Sequence, residues 1–408
     1  MQQQREASTS LLSIPQGILE HIAFFIPDAK DFLSFLTSFP DATSIGDLDS
    51  FIHLSNFLEP NDLWPKLQLQ ELTESLVPSV RRITRFFTTI YVLKVLDLEL
   101  LLQCLHPHNV VEFLICRTAY SVHGWLTTAV SRLPVQHLYI IASKAHRSAR
   151  FLDQLGSMAH LVSLSLDSCT FHGCDLDRLF DFIGENSNLT RLSLLDLYVL
   201  THDRRLYGQT VRFGQRHLQA LAVWLRRCLV TSLTLKLWCV EEEDRASAVE
   251  LLKTIFASST LEHVFLEMMN FHRYIQATIF PAPLRIQSLE LRRCSLHVTT
   301  MAALAMGLRH SNMTSLTLDN TKIDLATLRS LLDALVDTNV RQLKLSHANL
   351  KEDGCAMIAA ALPSLKLVEL NLRGTWVTNR VAEILAEVVG RATSLTSLVL
   401  KCKELPRL

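Results

Sequence analysis

A short hydrophobic pattern returns nine times along the C-terminal two-thirds of this chain. Each copy has an apolar residue, two variable residues, a Leu-x-Leu or similar alternation, a small or polar residue and a further apolar residue. The second apolar position, which we call the marker, lies at 164, 192, 233, 264, 289, 316, 343, 370 and 398. The last five markers are separated by 27, 27, 27 and 28 residues. This rhythm predicts a solenoid that stacks one strand per turn.

Two kinds of periodicity alternate within each repeat. The Leu-x-Leu phrase places apolar side chains on alternate residues, which is typical of a short strand with one buried face. Between the phrases, apolar residues follow the helical spacing i, i+3, i+4, i+7. This spacing is found at Val381, Ile384, Leu385 and Val388, and in similar form at Leu325, Leu328, Leu332 and Leu335. The sequence therefore predicts an α/β chain in which strand, turn and helix repeat.

Strand, turn and helix in about 27 residues resemble the leucine-rich repeat, specifically its longer, ribonuclease-inhibitor-like subclass. The resemblance implies a horseshoe with a parallel sheet on the concave face and helices on the convex face. The family usually places Asn or Cys five residues after the marker. Four copies have Cys169, Cys294, Thr321 and Thr375 there, and the others have Leu197, Trp238, Met269, Ala348 and Lys403. The side chains of these last five residues are poor hydrogen-bond partners for the backbone of the loop. We therefore expect the arc to be irregular at those five copies.

Fainter copies of the phrase extend the repeat region upstream. VVEFLICRT and VQHLYIIAS place markers at Phe113 and Leu138. The leucine-rich-repeat domain is therefore predicted over 110–408, with 11 repeats when these two are added to the nine. The interval from 192 to 233 is longer than the others, and its polar excess near 198–217 predicts an insertion that forms a loop at the rim.

The first hundred residues do not repeat and predict short helices after a disordered tail at 1–10. Ile18, Ile22, Phe25 and Ile26 form one apolar helical face, and Phe32, Phe35, Leu36 and Phe39 form a second. Asp28 stands where the N-cap of the second helix is expected. Two short helices bury little surface between themselves, so they need a third helix or a partner.

The segment 11–67 resembles an F-box. Ile14-Pro15 stands at the family's Leu-Pro position, Asp31-Phe32-Leu33 opens the second helix, and Leu63-Trp64 matches the closing Leu-Trp. Two departures are that no Trp follows the second helix near Phe39, and that Leu-Trp lies further along the chain than in the family. The resemblance implies an α-helical module that docks a Skp-type adaptor protein of a cullin-based ubiquitin ligase. The implied adaptor-binding residues are Ile14, Pro15, Ile18, Leu19, Ile22, Ile26, Pro27, Phe32, Leu33 and Leu36.

The alternative is that these helices merely cap the solenoid. Under either interpretation, residues 68–109 are predicted to form a helical linker or N-terminal cap between the F-box-like region and the repeats. Under this alternative the protein is a scaffold or inhibitor that works without a ubiquitin ligase.

Charge and cysteine use narrow the class of protein. Lys plus Arg and Asp plus Glu both number 40, so no basic excess points to nucleic acid or to an acidic membrane surface. No apolar run reaches the ~18 residues of a membrane-spanning helix, and the N-terminus lacks the apolar core of a secretory signal. The nine cysteines form no CxxC pair, which is typical of a reduced protein. We expect a cytoplasmic or nuclear protein.

The sequence carries no motif for catalysis. With 12 glycines, it has no Walker-type or GxGxxG loop, no GxSxG elbow and no HExxH. Two groups of residues have the types that bind metals but not the spacing of a zinc site. The first is Cys104, His106, His108 and Cys116, and the second is Cys169, His172 and Cys174. A GTPase-activating family within the repeat class uses an arginine, for which Arg191, Arg292, Arg293 or Arg373 would serve, but its acidic C-terminal tail is missing. We therefore expect no enzymatic activity, no cofactor and no metal.

The positions that flank each Leu-x-Leu predict the binding surface. The candidate target-binding residues are Phe265, Glu267, Met268, Glu290, Arg292, Arg293, Asp319, Lys344, His347 and Arg373. An aromatic anchor beside arginines is typical of a protein-binding hot spot. The first hypothesis is therefore a substrate-recognition subunit of a Skp, cullin and F-box ubiquitin ligase, whose repeats hold the target protein.

Overall fold

A computed structural model describes residues 14–39, 42–93, 95, 97–115, 132–141, 151–200, 209–236, 240, 242–271, 279–348, 350–375, 378–390 and 394–400. The predicted disordered tail at 1–10 lies outside these residues. The chain divides into two compact units. The first unit comprises Met1–Ser143 and Arg150–Leu161, and the second comprises Lys144–Ala149 and Val162–Leu408.

The first unit begins with short helices. They are α1 Gln16–Phe24, α2 Ala29–Thr37, α3 Ala42–Ile45, α4 Asp49–Leu54 and α5 Pro60–Leu63, with a 3-10 turn at Gly46–Leu48. The Asp28 side chain accepts hydrogen bonds from the backbone N–H groups of Lys30 (2.8 Å) and Asp31 (3.0 Å). Asp28 is therefore the N-cap of α2, as the sequence predicts.

The same unit continues into parallel strands. They are β1 Leu67–Leu69, β2 Thr89–Val92, β3 Val110–Ile115 and β4 Val135–Ile141, with α6 Val77–Thr84 and α7 Leu98–Cys104 between them. Leu67 pairs with Ile90, and Ile90 pairs with Val111. The prediction of a helical linker over 68–109 is therefore wrong for β1 and β2. An alternation of three or four residues is too short to be distinguished from a helix face by its period.

The second unit repeats strand and helix along its length. Its main strands are β5 Ser163–Asp167, β7 Arg191–Leu195, β10 Ser232–Lys236, β11 His263–Glu267, β12 Ser288–Arg292, β13 Ser315–Asp319, β14 Gln342–Lys344, β15 Glu369–Asn371 and β16 Ser397–Val399. Its helices are α8 Gly173–Glu185, α9 Gln215–Arg227, α10 Arg245–Ala257, α11 Val298–Leu308, α12 Leu325–Leu335, α13 Lys351–Ala361 and α14 Asn379–Val389. Short strands β6 Thr170–Phe171, β8 Tyr198–Val199 and β9 Gln209–Thr210 form a separate small sheet.

The markers of all nine strong repeats are aligned in one parallel register. Each strand pairs with the next so that marker faces marker, from Leu164 and Leu192 through to Leu370 and Leu398. Marker side chains such as Leu289, Leu316 and Leu343 are fully buried, and burial of each stabilises the fold by about 1.5–3 kcal/mol. The fold is a leucine-rich-repeat solenoid, as predicted.

The helices of the second unit supply large side chains to the core behind the sheet. Phe180, Trp224 and Phe256 on α8, α9 and α10 are fully buried. The Trp224 indole N–H donates a hydrogen bond to the carbonyl oxygen of Leu189 (2.8 Å), which precedes β7. Because this bond satisfies the one polar atom of the indole, Trp224 is accommodated in an apolar core.

Two repeats depart from the regular strand and helix. Within the predicted 198–217 insertion, β8 and β9 pair antiparallel with each other, and the last residues of the range begin α9. Residues 201–208 lie outside the described residues. Between β11 and β12 the described residues 279–287 contain no helix. Pro281 and Pro283 lie in this stretch, and proline removes a backbone donor and disfavours helix in the residue before it.

The turns after the strands of the second unit share one backbone conformation wherever the structure describes them. Four residues after the marker, Ser168, Asp196, Met268, Arg293, Asn320, His347 and Gly374 all have positive φ. The backbone N–H of Met268 bonds to Arg292 O (2.9 Å), and that of Arg293 bonds to Asp319 O (2.8 Å). The predicted irregularity is therefore wrong for these turns, including the one at Ala348. The copies with Leu197 and Met269 depart from strand and helix only in the segments after their turns. Trp238 and Lys403 lie outside the described residues.

Candidate functional site

Six of the ten candidate target-binding residues lie on the sheet face opposite the helices, which we call the open face. The other four, Met268, Arg293, His347 and Arg373, lie in the turns that follow its strands. The strand register places Phe265 beside Glu290, and Glu290 beside Thr317 and then Lys344. The next outward-facing row runs from Glu267 to Arg292 and Asp319. Side chains in neighbouring parallel strands lie close enough to interact. The predicted residues of β11 to β14 therefore form one continuous surface.

Phe265 and Arg292 form the aromatic and cationic pair of this surface. The guanidinium carbon of Arg292 lies 5.3 Å from the centre of the Phe265 ring. A cation over an aromatic face is attracted by about 0.5–1 kcal/mol at exposed sites. The ring is half-buried and Arg292 is exposed, so the pair presents a flat patch of apolar and cationic character.

Glu267 is the least exposed charged residue of the open face, with 8% of its surface accessible. Lys236 Nζ lies 2.8 Å from Asp196 Oδ2 and 3.6 Å from Glu267 Oε2, and Arg293 Nη1 lies 3.7 Å from Glu267 Oε1. A carboxylate so far removed from water requires nearby cations. The charges of four successive strand ends are therefore coupled in one chain of ion pairs.

The hydrogen bond to Asp196 is the main reason that the pKa of Lys236 is raised above its ordinary value. The nearby Glu267 carboxylate raises this pKa further, whereas partial burial lowers it. Lys236 is consequently held in its charged form at neutral pH.

A second group of charges surrounds Arg292. This side chain forms ion pairs with Glu290 and with Asp319, whose Oδ2 lies 3.8 Å from Arg292 Nε. The other oxygen, Asp319 Oδ1, is buried and has no hydrogen-bond partner among the described residues. Further along, Lys344 Nζ lies 3.2 Å from Glu369 Oε1. The cations of this half of the face are thus largely compensated by carboxylates.

Three predicted residues extend beyond these ion pairs. Met268 is 43% exposed, and its positive φ projects it from the turn after β11. His347 and Arg373 are also exposed, and the His347 backbone N–H bonds to Arg373 O (2.7 Å). Met268 therefore adds an accessible apolar side chain beside the patch of Phe265 and Arg292.

The structure divides the predicted adaptor-binding residues between surface and core. Leu19, Phe32 and Leu36 are buried, with at most 2% of their surface accessible. Their inclusion in a docking surface is therefore wrong, since an apolar residue on a short helix is as readily core as contact. Ile14, Ile26 and Leu33 are half-buried, whereas Pro15, Ile18, Ile22 and Pro27 are exposed.

Exposed apolar residues of α1 and of its C-cap form what we call the α1 patch: Ile18, Ile22 and Phe25. Ile18 is 52% exposed, Ile22 43% and Phe25 85%. Phe25 continues the apolar spacing of Ile18 and Ile22 and is not among the residues that the F-box resemblance implies. Exposed large apolar residues grouped on one helix indicate an interaction surface.

Trp64 joins the helices of the first unit into one core. Its ring stacks on Phe32 with centroids 4.5 Å apart and on Phe24 at 5.3 Å. Helices α3 and α4 lie between α2 and Leu63-Trp64 in the sequence. Phe51 of α4 in turn packs on Phe86, 6.1 Å away, so the same core extends to the segment after α6.

Arg85 adds polar contacts across the same region. One of its nitrogens lies 2.7 Å from Glu20 Oε1 and the other 2.7 Å from Asp47 Oδ2. Glu20 belongs to α1 and Asp47 to the 3-10 turn before α4. The helical region and the first strand-helix segment therefore pack together within the first unit.

The candidate metal-ligand sets have other roles in the structure. Burial raises the pKa of the Cys104 thiol to about 12, and the His106 ring bonds to the Arg81 carbonyl oxygen (2.9 Å). Cys169 is buried, and its thiol donates to the backbone carbonyl oxygen of Asp167. Cys174 is exposed. Cys116 lies outside the described residues. Over the part of the chain that the structure describes, no group of three or more His, Cys, Asp or Glu is arranged to hold a metal ion.

None of the described helices has the length and apolar character that crossing a membrane requires. No family model matches the sequence, and no curated protein matches it. Among solved structures, the fold is similar to the crystal structure of an internalin from Listeria monocytogenes. The similarity has a TM-score of 0.38 at 13% sequence identity and covers 87% of this chain and 90% of the internalin chain.

Proposed function

We propose that this chain is a protein-recognition subunit that binds a target protein on the open face of its second unit. The observation that carries the proposal is the cluster of Phe265, Arg292 and Met268 on an otherwise polar sheet face. Aromatic, arginine and methionine side chains are enriched in protein interfaces. The surrounding carboxylates and cations supply a polar rim.

The ion pairs of the open face favour binding because they fix the surface in advance. Glu267 is held between Lys236 and Arg293, and Arg292 is held between two carboxylates and the Phe265 ring. Ordering a long side chain on binding costs about 0.5–1.5 kcal/mol. Side chains that are already ordered avoid part of that cost, so specificity comes from their fixed arrangement.

The α1 patch supports a second binding role in the first unit. On the F-box resemblance, we propose that Ile18, Ile22 and Phe25, with the flanking Pro15 and Pro27, dock a Skp-type adaptor of a cullin-based ubiquitin ligase. In this role Leu19, Phe32, Leu36 and Trp64 form the core that supports the patch. The chain then links a target protein to the ligase.

A second candidate function uses the same helices as a cap. The contacts of Phe51 with Phe86 and of Arg85 with Glu20 and Asp47 favour it, since they cover apolar surface at the start of the repeats. The chain is then a ligase-independent scaffold or inhibitor. The two candidates differ only in whether the α1 patch binds an adaptor.

Both candidate functions consist of protein binding and need no catalysis, cofactor or metal. For both we propose that the chain acts in the cytoplasm or nucleus. The repeat length of about 27 residues with a helix in most repeats supports the ribonuclease-inhibitor-like subclass. GTPase activation remains a distant third, since Arg292 and Arg293 are engaged by carboxylates.

The adaptor role is tested by co-purification of the intact chain with a Skp-type adaptor. The variant Ile18→Asp with Ile22→Asp replaces two exposed residues, so the fold is expected to survive. The matched control is Val298→Asp with Met306→Asp, which are 47% and 57% exposed on α11. Loss of the adaptor in the first variant alone supports the ligase role. Retention of the adaptor by the first variant, or no adaptor bound by the wild type, leaves the cap as the function of the helices.

The target role is tested by comparing proteins captured by the wild type with those captured by Phe265→Ala and Met268→Glu. A target of the open face is lost in both variants and kept in the α11 control. A captured protein that is insensitive to both substitutions binds elsewhere and contradicts the proposed site.

A further inference from the structure

A cleft opens at the edge of the second unit's sheet where the strands begin, which we call the entry cleft. It has a volume of about 660 Å³. Its lining comes from the segments that enter four consecutive strands, with Leu229 and Thr231 before β10, 259–262 before β11, 283–285 and 287 before β12, and His310 and Asn312 before β13. None of the proposed target-binding residues lines it. The entry cleft is therefore a surface separate from the open face.

The irregular repeat between β11 and β12 shapes one wall of this cleft. Residues 279–287 form no helix, and the Leu284 backbone N–H instead donates to Gly307 O on α11 (2.8 Å). A Cβ on Gly307 would lie 2.7 Å from the carbonyl oxygen of Pro281. Because Gly307 lacks this atom, the proline-containing loop packs directly on α11, and the wall is fixed by packing.

A second depression of about 520 Å³ adjoins the entry cleft. The two share Leu229, Ser259 and Thr260 in their linings. The second depression is otherwise lined by the C-terminal halves of α9 and α10 and the residues that follow them, including Arg227 and Lys253. Together they form a groove that runs from the ends of these helices across four strand entries.

Uncompensated positive charge is concentrated along this groove. Arg226 is paired with Glu250 at 2.9 Å, but Arg227, Lys253 and Arg285 have no ion pair among the described residues. Glu262 is the one remaining carboxylate in the two linings. Cations in the last turn of a helix are favoured by the helix dipole, which accounts for Arg227 on α9 but not for Lys253, which precedes the last turn of α10. Arg285 lies outside any helix, so the dipole does not account for it.

We propose that this groove binds an acidic, extended peptide segment of a partner protein. Carboxylates of the peptide would pair with Arg285 and Lys253, and an apolar side chain would cover Leu229, which is 73% exposed. Neighbouring strand entries are about 4.8 Å apart, so four of them span about 14 Å. An extended chain covers that distance with about four residues.

The test uses fluorescence anisotropy with a short fluorescein-labelled peptide that carries glutamates around one leucine. A peptide with glutamine in place of each glutamate is the control probe. We expect the acidic peptide to bind the intact wild-type chain, and Lys253→Glu with Arg285→Glu to weaken that binding by about tenfold or more. Ser259→Tyr, at a position shared by both depressions, should weaken it without a change of charge.

The matched control variant is Lys322→Glu with Arg329→Glu, which makes the same charge change outside the groove. It should bind the acidic peptide like the wild type, and bound peptide should slow hydrogen exchange at 259–262 and 283–287. Three results would overturn the proposal: equal binding of the acidic and neutral peptides, no peptide binding by the wild type, or an equal loss of binding in both charge variants. Binding of a short oligonucleotide instead of the peptide would assign the groove to nucleic acid and would overturn it as well. Unchanged circular dichroism of each variant checks that it is folded.

Discussion

The indole N–H of Trp64 donates a hydrogen bond of 2.6 Å to the carbonyl oxygen of Ile26. This bond ties the end of the helical segment to the turn between α1 and α2. The Trp64 ring lies between Phe24 and Phe32, with which it stacks. The packing of α1 and of the turn after it therefore depends on a residue that lies far from α1 in the sequence.

We expect replacement of Trp64 to destabilise the first unit. Trp64→Phe keeps an aromatic ring but leaves Ile26 O without its donor, which costs about 1–3 kcal/mol. Trp64→Ala also opens a cavity and should cost about 3–5 kcal/mol. Denaturant unfolding of the full chain measures both values. Phe57→Ala serves as the control, because Phe57 is 61% exposed; an equal loss there would show that the effect is not specific to the Trp64 contacts.

Local sequence rules identify this core only in part. The Leu63-Trp64 pair resembles the end of an F-box, and the structure places Trp64 against Phe32 and the Ile26 turn. The apolar periodicity of α1 and α2 predicts two amphipathic helices, but it does not predict which of their apolar residues pack into the core. Leu19 and Ile18 are adjacent on a short helix, and the packing of the neighbouring segments, which the sequence pattern does not show, leaves Leu19 buried and Ile18 exposed.

Gly307 gives a prediction about the irregular repeat. Alanine normally stabilises a helix by about 1 kcal/mol relative to glycine. At Gly307 the added Cβ would lie 2.7 Å from Pro281 O and 3.1 Å from Leu284 Cγ, so we expect Gly307→Ala to destabilise the fold by about 1–3 kcal/mol. Thermal unfolding checks the sign. Gly173→Ala at the start of α8, where nothing lies within 4 Å of the new Cβ, should be neutral or stabilising.

The regular repeats were predictable because each marker obeys one local rule. Leu289, Leu316 and Leu343 align in register as their 27-residue spacing predicts. The entry cleft was not predictable in this way. It results from the packing of the Pro281 loop on Gly307, and sequence alone does not tell that this glycine meets a carbonyl oxygen 26 positions earlier. The charge pairing of Glu267 likewise depends on Lys236 and Arg293 from the two neighbouring strands.

Lys236 gives a prediction about pH. Its pKa is raised above the ordinary value of 10.5, mainly by the hydrogen bond to Asp196. The stabilisation from this group is therefore complete below pH 10.5 and is lost as the pH rises through the higher pKa of the folded state. We expect Asp196→Asn to lower the Lys236 pKa more than Glu267→Gln does, because Asp196 is the larger cause. NMR titration of the lysine side chain measures both shifts, and the reverse order would show that Glu267 dominates the pair.

Buried and exposed cysteines should differ sharply in reactivity. Burial raises the thiol pKa of Cys104 and Cys294 to about 12, so neither forms appreciable thiolate at neutral pH, and the thiolate is the nucleophile. Cys174 is exposed at the start of α8. We expect iodoacetamide at pH 8 to alkylate Cys174 in the folded chain, and to reach Cys104 and Cys294 only after unfolding in denaturant. Mass spectrometry of the labelled peptides follows each site. Rapid labelling of Cys294 in the folded chain would mean that the turn after β12 opens in solution. The backbone hydrogen bonds that join the turns beside the open face would then not be maintained.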